Sequence, residues 1–396
     1  MYIRAVPVCR PDSRESRRPT HDSPRRAPFT LRWLAYASSV GFPFKVLIAD
    51  GGSDDSVQRA VSTPGVFPGL QYEYVRYGYD ASYTEFYAKI ENALSRIHTP
   101  FVAMLDNDDF LIANALRKAV AYLVDHPDYA ACGGQWGAFW VLPSGDEAAH
   151  DLTYGARIEW KCTSGTVSLR SPSATERVRD QSQIATYPLY YHVRRTAEAH
   201  QQFQLIRELD LRDFFLYEQL LAFLTAISGK THQLDALYLA RQWNSVETAG
   251  GTHAKRFGDW FGRMLVPSWS EDFSKFLAAT STALADKDGI PLDEARRWIV
   301  QSYRMEVAPP LLDNLLAEPT VTAPMSIVVR LVRRLLSLPP TSPLRKMATA
   351  IYRRTPWLSP DILHGTQIRG RRVPNAADEM RLIRSFLTRR SNSTDA

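Results

Sequence analysis

Cysteine is scarce in this chain: Cys9, Cys132 and Cys162 are all that 396 residues contain. Their spacing matches no zinc site and cannot build a disulfide framework, which fits a reducing cytosol. Long apolar runs are missing as well. Nothing approaches eighteen consecutive apolar residues, and the N-terminal "MYIRAVPVCRPDSRESRRP" holds no apolar core of signal-peptide length, so neither a membrane span nor a secretion signal is expected. No internal repeat is visible, and no glycine-rich basic loop stands near the N-terminus. What is present is ordinary for a folded protein: 45% apolar and 23% charged residues, and enough length for two or three domains.

The formal charge of +6 is unevenly placed. From Val321 onward there are 14 Lys/Arg against 4 Asp/Glu, so the basic character belongs to the tail and the rest is mildly acidic. Within it, "SIVVRLVRRLLSL" sets Val329, Val332, Leu335 and Leu336 on one helical stripe with Arg330, Arg333 and Arg334 off it. Such a helix suits an anionic membrane surface, or it docks on the rest of the protein with its arginines in water. Nucleic-acid binding is disfavoured, because the tail lacks interleaved aromatics or a known binding motif.

Residues 10 to 28, rich in Arg, Ser and Pro, have no periodicity and read as loop. "FTLRWLAYASSVGF" then predicts an amphipathic helix ended by Gly41. "FKVLIAD", "YEYVRY" and "FVAML" read as strands, alternating with helices in "TEFYAKIENALSRI", where Thr84 is the candidate N-cap, and in "ALRKAVAYLVDH". Strands that are apolar throughout point to a parallel sheet covered on both faces. "QWGAFWVL" and "YPLYYHVRR" lean towards strand, around "RSPSATERVRDQSQ", which reads as a long mobile loop. "LRDFFLYEQLLAFLTAISGK" predicts a buried helix stopped by Gly229, "ALYLARQW" a last strand, and helical patterns follow from about Gly250.

The chemistry is concentrated in "FVAMLDNDDFL", where a buried strand runs into Asp106, Asp108 and Asp109. Ligands of an open parallel sheet bind beyond the carboxyl ends of its strands, and "VLIAD" also ends in an acid, Asp50. Extended backbone puts Asp106 and Asp108 on one side, with Asp109 turning away. Two adjacent ionised carboxylates call for a counter-charge, and Mg²⁺ or Mn²⁺ supplies one, held by one or two carboxylates and the phosphates of a substrate. Asp54 and Asp55 read instead as solvated acids at a helix start.

"FPFKVLIADGGS", "TPFVAMLDNDDFL", "RDFFLYEQLLAFLTAISGK" and "YLARQWN", in that order, resemble the family 2 nucleotide-sugar glycosyltransferases, particularly bacterial ones of surface-polysaccharide synthesis. The resemblance covers roughly Pro19 to Gly250. It implies a GT-A fold, an α/β architecture with a Rossmann-like, mainly parallel sheet flanked by helices, here with a helical C-terminal region. The expected division is an irregular basic segment over 1–28, the transferase domain over 29–250 and a mainly helical region over 251–396. A nucleotide-diphosphate sugar such as a UDP-sugar is the implied donor, a glycan or lipid-linked hydroxyl the acceptor, and inversion the stereochemistry. The implied location is the cytoplasm, peripheral to the inner face of the membrane.

Position by position, the resemblance assigns Asp50 to the nucleotide, Asp106 to the ribose and, with Asp108 as principal ligand, to the metal. Asp213 matches the general base that opens the late helix, where an N-cap role is also open. Arg241, and Lys89 on the helix ahead of the acidic motif, are candidates for the donor phosphates, with solvated surface the alternative for Lys89. Three departures stand out. Arg212 replaces the acid that usually precedes Asp213, and Gln242-Trp243 replaces the usual His. "CRPDSRESRR" stands where the first strand should be, before Thr20 and His21, which are weak candidates. Either "YIRAVPV" supplies that strand or it is degraded. A degraded strand would favour a non-catalytic binding protein, and nucleotidyl transfer is the enzymatic rival.

Overall fold

In the computed structural model the described residues are 2–6, 27–52, 54–80, 82–143, 152–155, 157–162, 168–183, 188–243, 262–316, 342–344, 367–368, 371–373 and 375–388. The strands that begin the sheet are β1 (Tyr2–Val6), β2 (Val46–Asp50), β3 (Tyr72–Arg76) and β4 (Phe101–Leu105). They lie side by side in the order β3-β2-β1-β4, all parallel, with Val6 level with Asp50. "YIRAV" therefore is the first strand, and residues 2–6 of the segment expected to be irregular belong to the sheet. Thr20 and His21 lie outside the described residues.

Beyond β4 the sheet becomes mixed. β5 (Phe110–Leu111), β6 (Tyr129–Leu142), β7 (Arg157–Cys162), β8 (Val193–Arg195) and β9 (Lys230–Gln242) extend it as β4-β8-β6-β9-β5, with β7 on β6. β8 is antiparallel to both β4 and β6, whereas β6 and β9 run parallel. A two-stranded ribbon, β10 (Gln367–Ile368) and β11 (Arg371–Arg372), stands apart.

The strand pleat divides the core in two. Val46, Ile48, Ala103 and Leu105 face one hydrophobic cluster, Leu47, Ala49, Val102 and Met104 the other. The first is covered by α1 (Ala27–Ser39), α2 (Ser56–Ser62), α4 (Ala113–Asp125) and α11 (Ala376–Leu387). The second is covered by α3 (Tyr83–Ser95), α5 (Ala174–Gln181), α7 (Thr196–Leu209), α8 (Phe214–Ser228), α9 (Pro267–Asp288) and α10 (Leu292–Leu316). A one-turn helix, α6 (Pro188–Tyr191), and a 3-10 turn over Gly262–Leu265 complete the path.

Two local expectations change. The "RSPSATERVRDQSQ" stretch contains a helix, α5, not a long loop throughout. Its Ser173 caps Glu176 N–H, Asp288 accepts from the N–H groups of Ala174 and Thr175, and the buried Arg177 donates to the carbonyls of Ala226 and Ile227. The cap of α3 is Ser82, which accepts from Glu85 N–H, while the Thr84 hydroxyl donates to Asp210 at 2.6 Å. The C-terminal part is not merely an appendage: Met380, Ile383 and Leu387 of α11 are buried in the first cluster, and Phe386 packs edge-on against Tyr36. The basic stripe at 326–338 lies outside the described residues.

Candidate active site

β2 delivers Asp50 to the carboxyl edge of the parallel strands, and β4 delivers Asp106 one residue past its end. Asp50 is buried. Its Oδ2 accepts from the Tyr74 hydroxyl at 2.6 Å and the Arg76 guanidinium at 2.7 Å, and its Oδ1 from Gly52 N–H at 2.8 Å. Tyr74 and Arg76 share a face of β3 because they are two residues apart, which brings both to a carboxylate one strand over. Arg76 also donates to the carbonyls of Gly52 and Asp54, so the turn after β2 is fastened to β3.

Below that turn lies a buried ion pair. Lys89 of α3 donates to Asp80, and both side chains are 2% exposed. Lys89 is thus neither solvated surface nor directed at solvent-borne phosphates in this arrangement. Asp80 N–H reaches the Gly51 carbonyl, and a Cβ at Gly51 would stand 2.4 Å from an Asp80 oxygen. Burial pushes the Asp80 carboxyl up to about 6 against the opposing pull of Lys89.

The acidic turn splits its three carboxylates. Asp109 turns inward, where Oδ2 accepts from Arg241 Nε at 2.9 Å and Oδ1 from Gln242 N–H at 3.0 Å. Burial lifts this carboxyl to about 7 in spite of Arg241, with Asp108 and Asp106 adding to the lift. Asp106 accepts from the Tyr191 hydroxyl at 2.7 Å, and the Arg241 guanidinium sits 5.1 Å from the centre of the Tyr191 ring. No hydrogen bond to the Asp108 carboxylate falls among the described residues, although its carbonyl accepts from Arg32 at 2.9 Å. Arg241 therefore stands at the acidic motif, held by Asp109 and Tyr191.

Arg32 was not legible as a site residue. It is buried in α1, and it also donates to Gln242 Oε1 and the Thr153 carbonyl, joining the acidic turn to β9 and the 152–155 segment. Gln242, which stands where the resembled family has His, spends its amide on Arg32 and the Leu152 carbonyl. Trp243 beside it is half exposed and stacks on Trp136 with ring centres 6.2 Å apart.

Asp213 caps α8, its Oδ1 accepting from Leu216 N–H at 2.9 Å. The same oxygen accepts from Arg263 of the 3-10 turn at 2.6 Å. Asp272 of α9 accepts from the backbone N–H groups of both Arg212 and Asp213. Further along α8, Glu218 is partly exposed and senses Arg241, Asp106 and Arg263; burial pushes its carboxyl up to about 7. Nothing in the sequence singles it out from the polar residues of an apolar helix.

Among the described residues no group of three or more His, Cys, Asp or Glu side chains is arranged to hold a metal ion. Asp109 turns inward to Arg241 and Gln242, and Asp106 and Asp108 remain as hard oxygen donors. That pair fits Mg²⁺ or Mn²⁺, which bind one or two carboxylates and fill the rest of their shell with water and phosphate oxygens.

No protein-family model matches the sequence, and no curated protein matches it. Among solved structures the chain is similar to Staphylococcus aureus TarS 1–349 in complex with UDP-GlcNAc, with a TM-score of 0.43 and 11% identity over 91% of this chain and 88% of that one. The same protein in complex with UDP gives the same values. TarS 1–349 without a named ligand gives a TM-score of 0.38 and 12% identity over 80% of this chain and 92% of that one.

Proposed function

We propose that this chain is a metal-dependent, inverting glycosyltransferase of the GT-A kind, moving a sugar from a nucleotide-diphosphate donor to a hydroxyl of a glycan or lipid-linked acceptor. The observation that carries it is the convergence of Asp106, Asp108 and Arg241 at one edge of the sheet, with Asp109 fixing Arg241 in place. Two carboxylates and a guanidinium are the groups that a pyrophosphate and its counter-ion require.

The turn after β2 receives the nucleotide in this reading, with Asp50 and its partners Tyr74 and Arg76 as its floor. A divalent cation held by Asp108 with Asp106 would neutralise the diphosphate as it leaves. Arg241, a fifth of whose side chain is open, meets the diphosphate oxygens, and Tyr191 keeps Asp106 oriented. Lys89 acts through Asp80, setting the Gly51 turn from below rather than touching phosphate. Catalysis is then mainly positioning and charge stabilisation. An acceptor hydroxyl also needs a base, for which the resemblance offers Asp213.

β1, seated between β2 and β4, supports the catalytic reading over a non-catalytic relative with a degraded first strand. No helix among the described residues is long and apolar enough to cross a membrane. A cytoplasmic enzyme meeting the anionic inner face of the membrane through its basic tail completes the proposal. Incubation of the full chain with a panel of UDP-sugars, with and without Mn²⁺, tests it: metal-dependent release of UDP is expected, and release of UMP together with sugar 1-phosphate would favour nucleotidyl transfer.

A further inference from the structure

Arg32 lies three residues after Phe29 and four before Tyr36, on the face of α1 that packs into the core, and it is 1% exposed. Its guanidinium sits between two rings, 5.0 Å from the centre of Phe29 and 5.1 Å from that of Phe110, the residue that follows Asp109. A sealed charge is costly to keep, and a core that needed only filling would be served by Met or Leu at this point. The donors show where the charge is spent. Nη1 donates to the Thr153 carbonyl at 2.6 Å, and Nη2 to the Asp108 carbonyl at 2.9 Å and to Gln242 Oε1 at 3.0 Å. None of these acceptors is a carboxylate.

Two ties therefore cross from the acidic turn to the end of β9. In one, the Asp109 carboxylate takes Arg241 Nε and Gln242 N–H. In the other, Arg32 bridges the Asp108 carbonyl and the Gln242 side chain. Bonded to that carbonyl, Arg32 fixes the backbone from which the Asp108 carboxylate projects. Its charge also reaches the carboxylates of Asp108 and Asp109, which offsets the repulsion among the acids of the turn. The same network extends to the 152–155 segment, where the Leu152 carbonyl accepts from Gln242 Nε2 at 2.8 Å.

We propose that Arg32 is a positioning residue for the diphosphate site: it locks the acidic turn to the end of β9, so that Asp106, Asp108 and Arg241 keep the spacing a divalent cation and a diphosphate together require. This rests on the glycosyl-transfer reading. The lock needs the fork as well as the charge. A lysine would keep the cation, but with its donors on a single nitrogen it would not span acceptors on three separate segments.

The test titrates the full chain with UDP in the presence of Mn²⁺ by calorimetry, and records the electron paramagnetic resonance signal of the bound Mn²⁺, on the wild type, Arg32→Met, Arg32→Lys and Gln242→Met. Arg32→Met keeps a side chain between the two rings and removes the donors. It should bind Mn²⁺ with UDP about 10 to 100 times more weakly, the range for losing a group that orients a metal ligand, and give a broader signal at saturation. Gln242→Met cuts the tie on the β9 side and leaves Arg32 in place, so it should move both readouts the same way and decides the matter should Arg32→Met not fold. Arg32→Lys should stay weaker than the wild type. Variants that melt lower yet bind Mn²⁺ and UDP with wild-type affinity and signal would overturn the inference, because Arg32 would then be structural only. Full affinity in Arg32→Lys would overturn it as well, since charge alone would suffice. A wild type that binds UDP without regard to Mn²⁺, or not at all, would instead bring down the metal-dependent transferase reading, and the inference with it.

Discussion

Arg263 and Asp213 meet at 2.6 Å with the guanidinium sealed from solvent. A pair buried to this degree is costly to break from one side, because the survivor keeps its charge in a medium that cannot solvate it. Asp213→Asn should therefore lower stability by about 3 to 5 kcal/mol, and Arg263→Met should do the same. The double variant should recover much of the loss in a thermal melt. A fully stable Asp213→Asn would show that the pair carries no such stability.

The Asp80–Lys89 pair makes a different demand, on pH. The folded Asp80 carboxyl sits at about 6, above its ordinary value of 3.8, so the folded state holds this proton more tightly than the unfolded chain does. Its contribution to stability is complete below pH 3.8 and is lost as pH rises through about 6. Denaturant titrations at pH 4.5 and pH 7.5 should show a pH-dependent term that Asp80→Asn abolishes.

Gly51 packs against the same pair. Its missing Cβ would fall 2.4 to 2.7 Å from the Asp80 carboxylate atoms. Gly51→Ala should displace Asp80 or the turn above it, weakening UDP binding more than it lowers the melting temperature. Calorimetric titration of the variant with UDP and Mn²⁺ checks this, and unchanged affinity would detach the Gly51 turn from the nucleotide site.

Deleting the chain after Pro324 should damage the fold. Such a truncation removes Val373, Ala376, Met380, Ile383 and Leu387 from the first cluster, and the Leu387 carbonyl from Gly155 N–H. Each large apolar side chain among them contributes about 1.5 to 3 kcal/mol by burial. The truncated protein should melt lower or aggregate; a soluble truncation with the wild-type melting temperature would show α11 to be dispensable.

The parts of the fold that were readable from sequence are those where apolar character runs unbroken. β2, β4 and α8 bury nearly every side chain, and their ends carry the acids at which the site was placed. α5 escaped because its packed face holds only Ala174 and Val178 among buried polar residues, with Arg177 satisfied by backbone carbonyls that no sequence pattern announces. Lys89 misled for a related reason. A lysine on a helix reads as solvated unless its partner is known, and Asp80 comes from an irregular segment nine residues earlier. Glu218 and Arg32 became visible only when distant elements were brought against them.

In the proposed mechanism Asp108 with Asp106 would hold a metal between the protein and a diphosphate. Calorimetry of UDP binding with and without Mn²⁺, on the wild type and on Asp108→Asn, tests it most directly. The expected result is saturable binding that needs Mn²⁺ in the wild type and is lost in Asp108→Asn, which keeps its fold. Equal UDP affinity in both proteins, or binding indifferent to the metal, would contradict it.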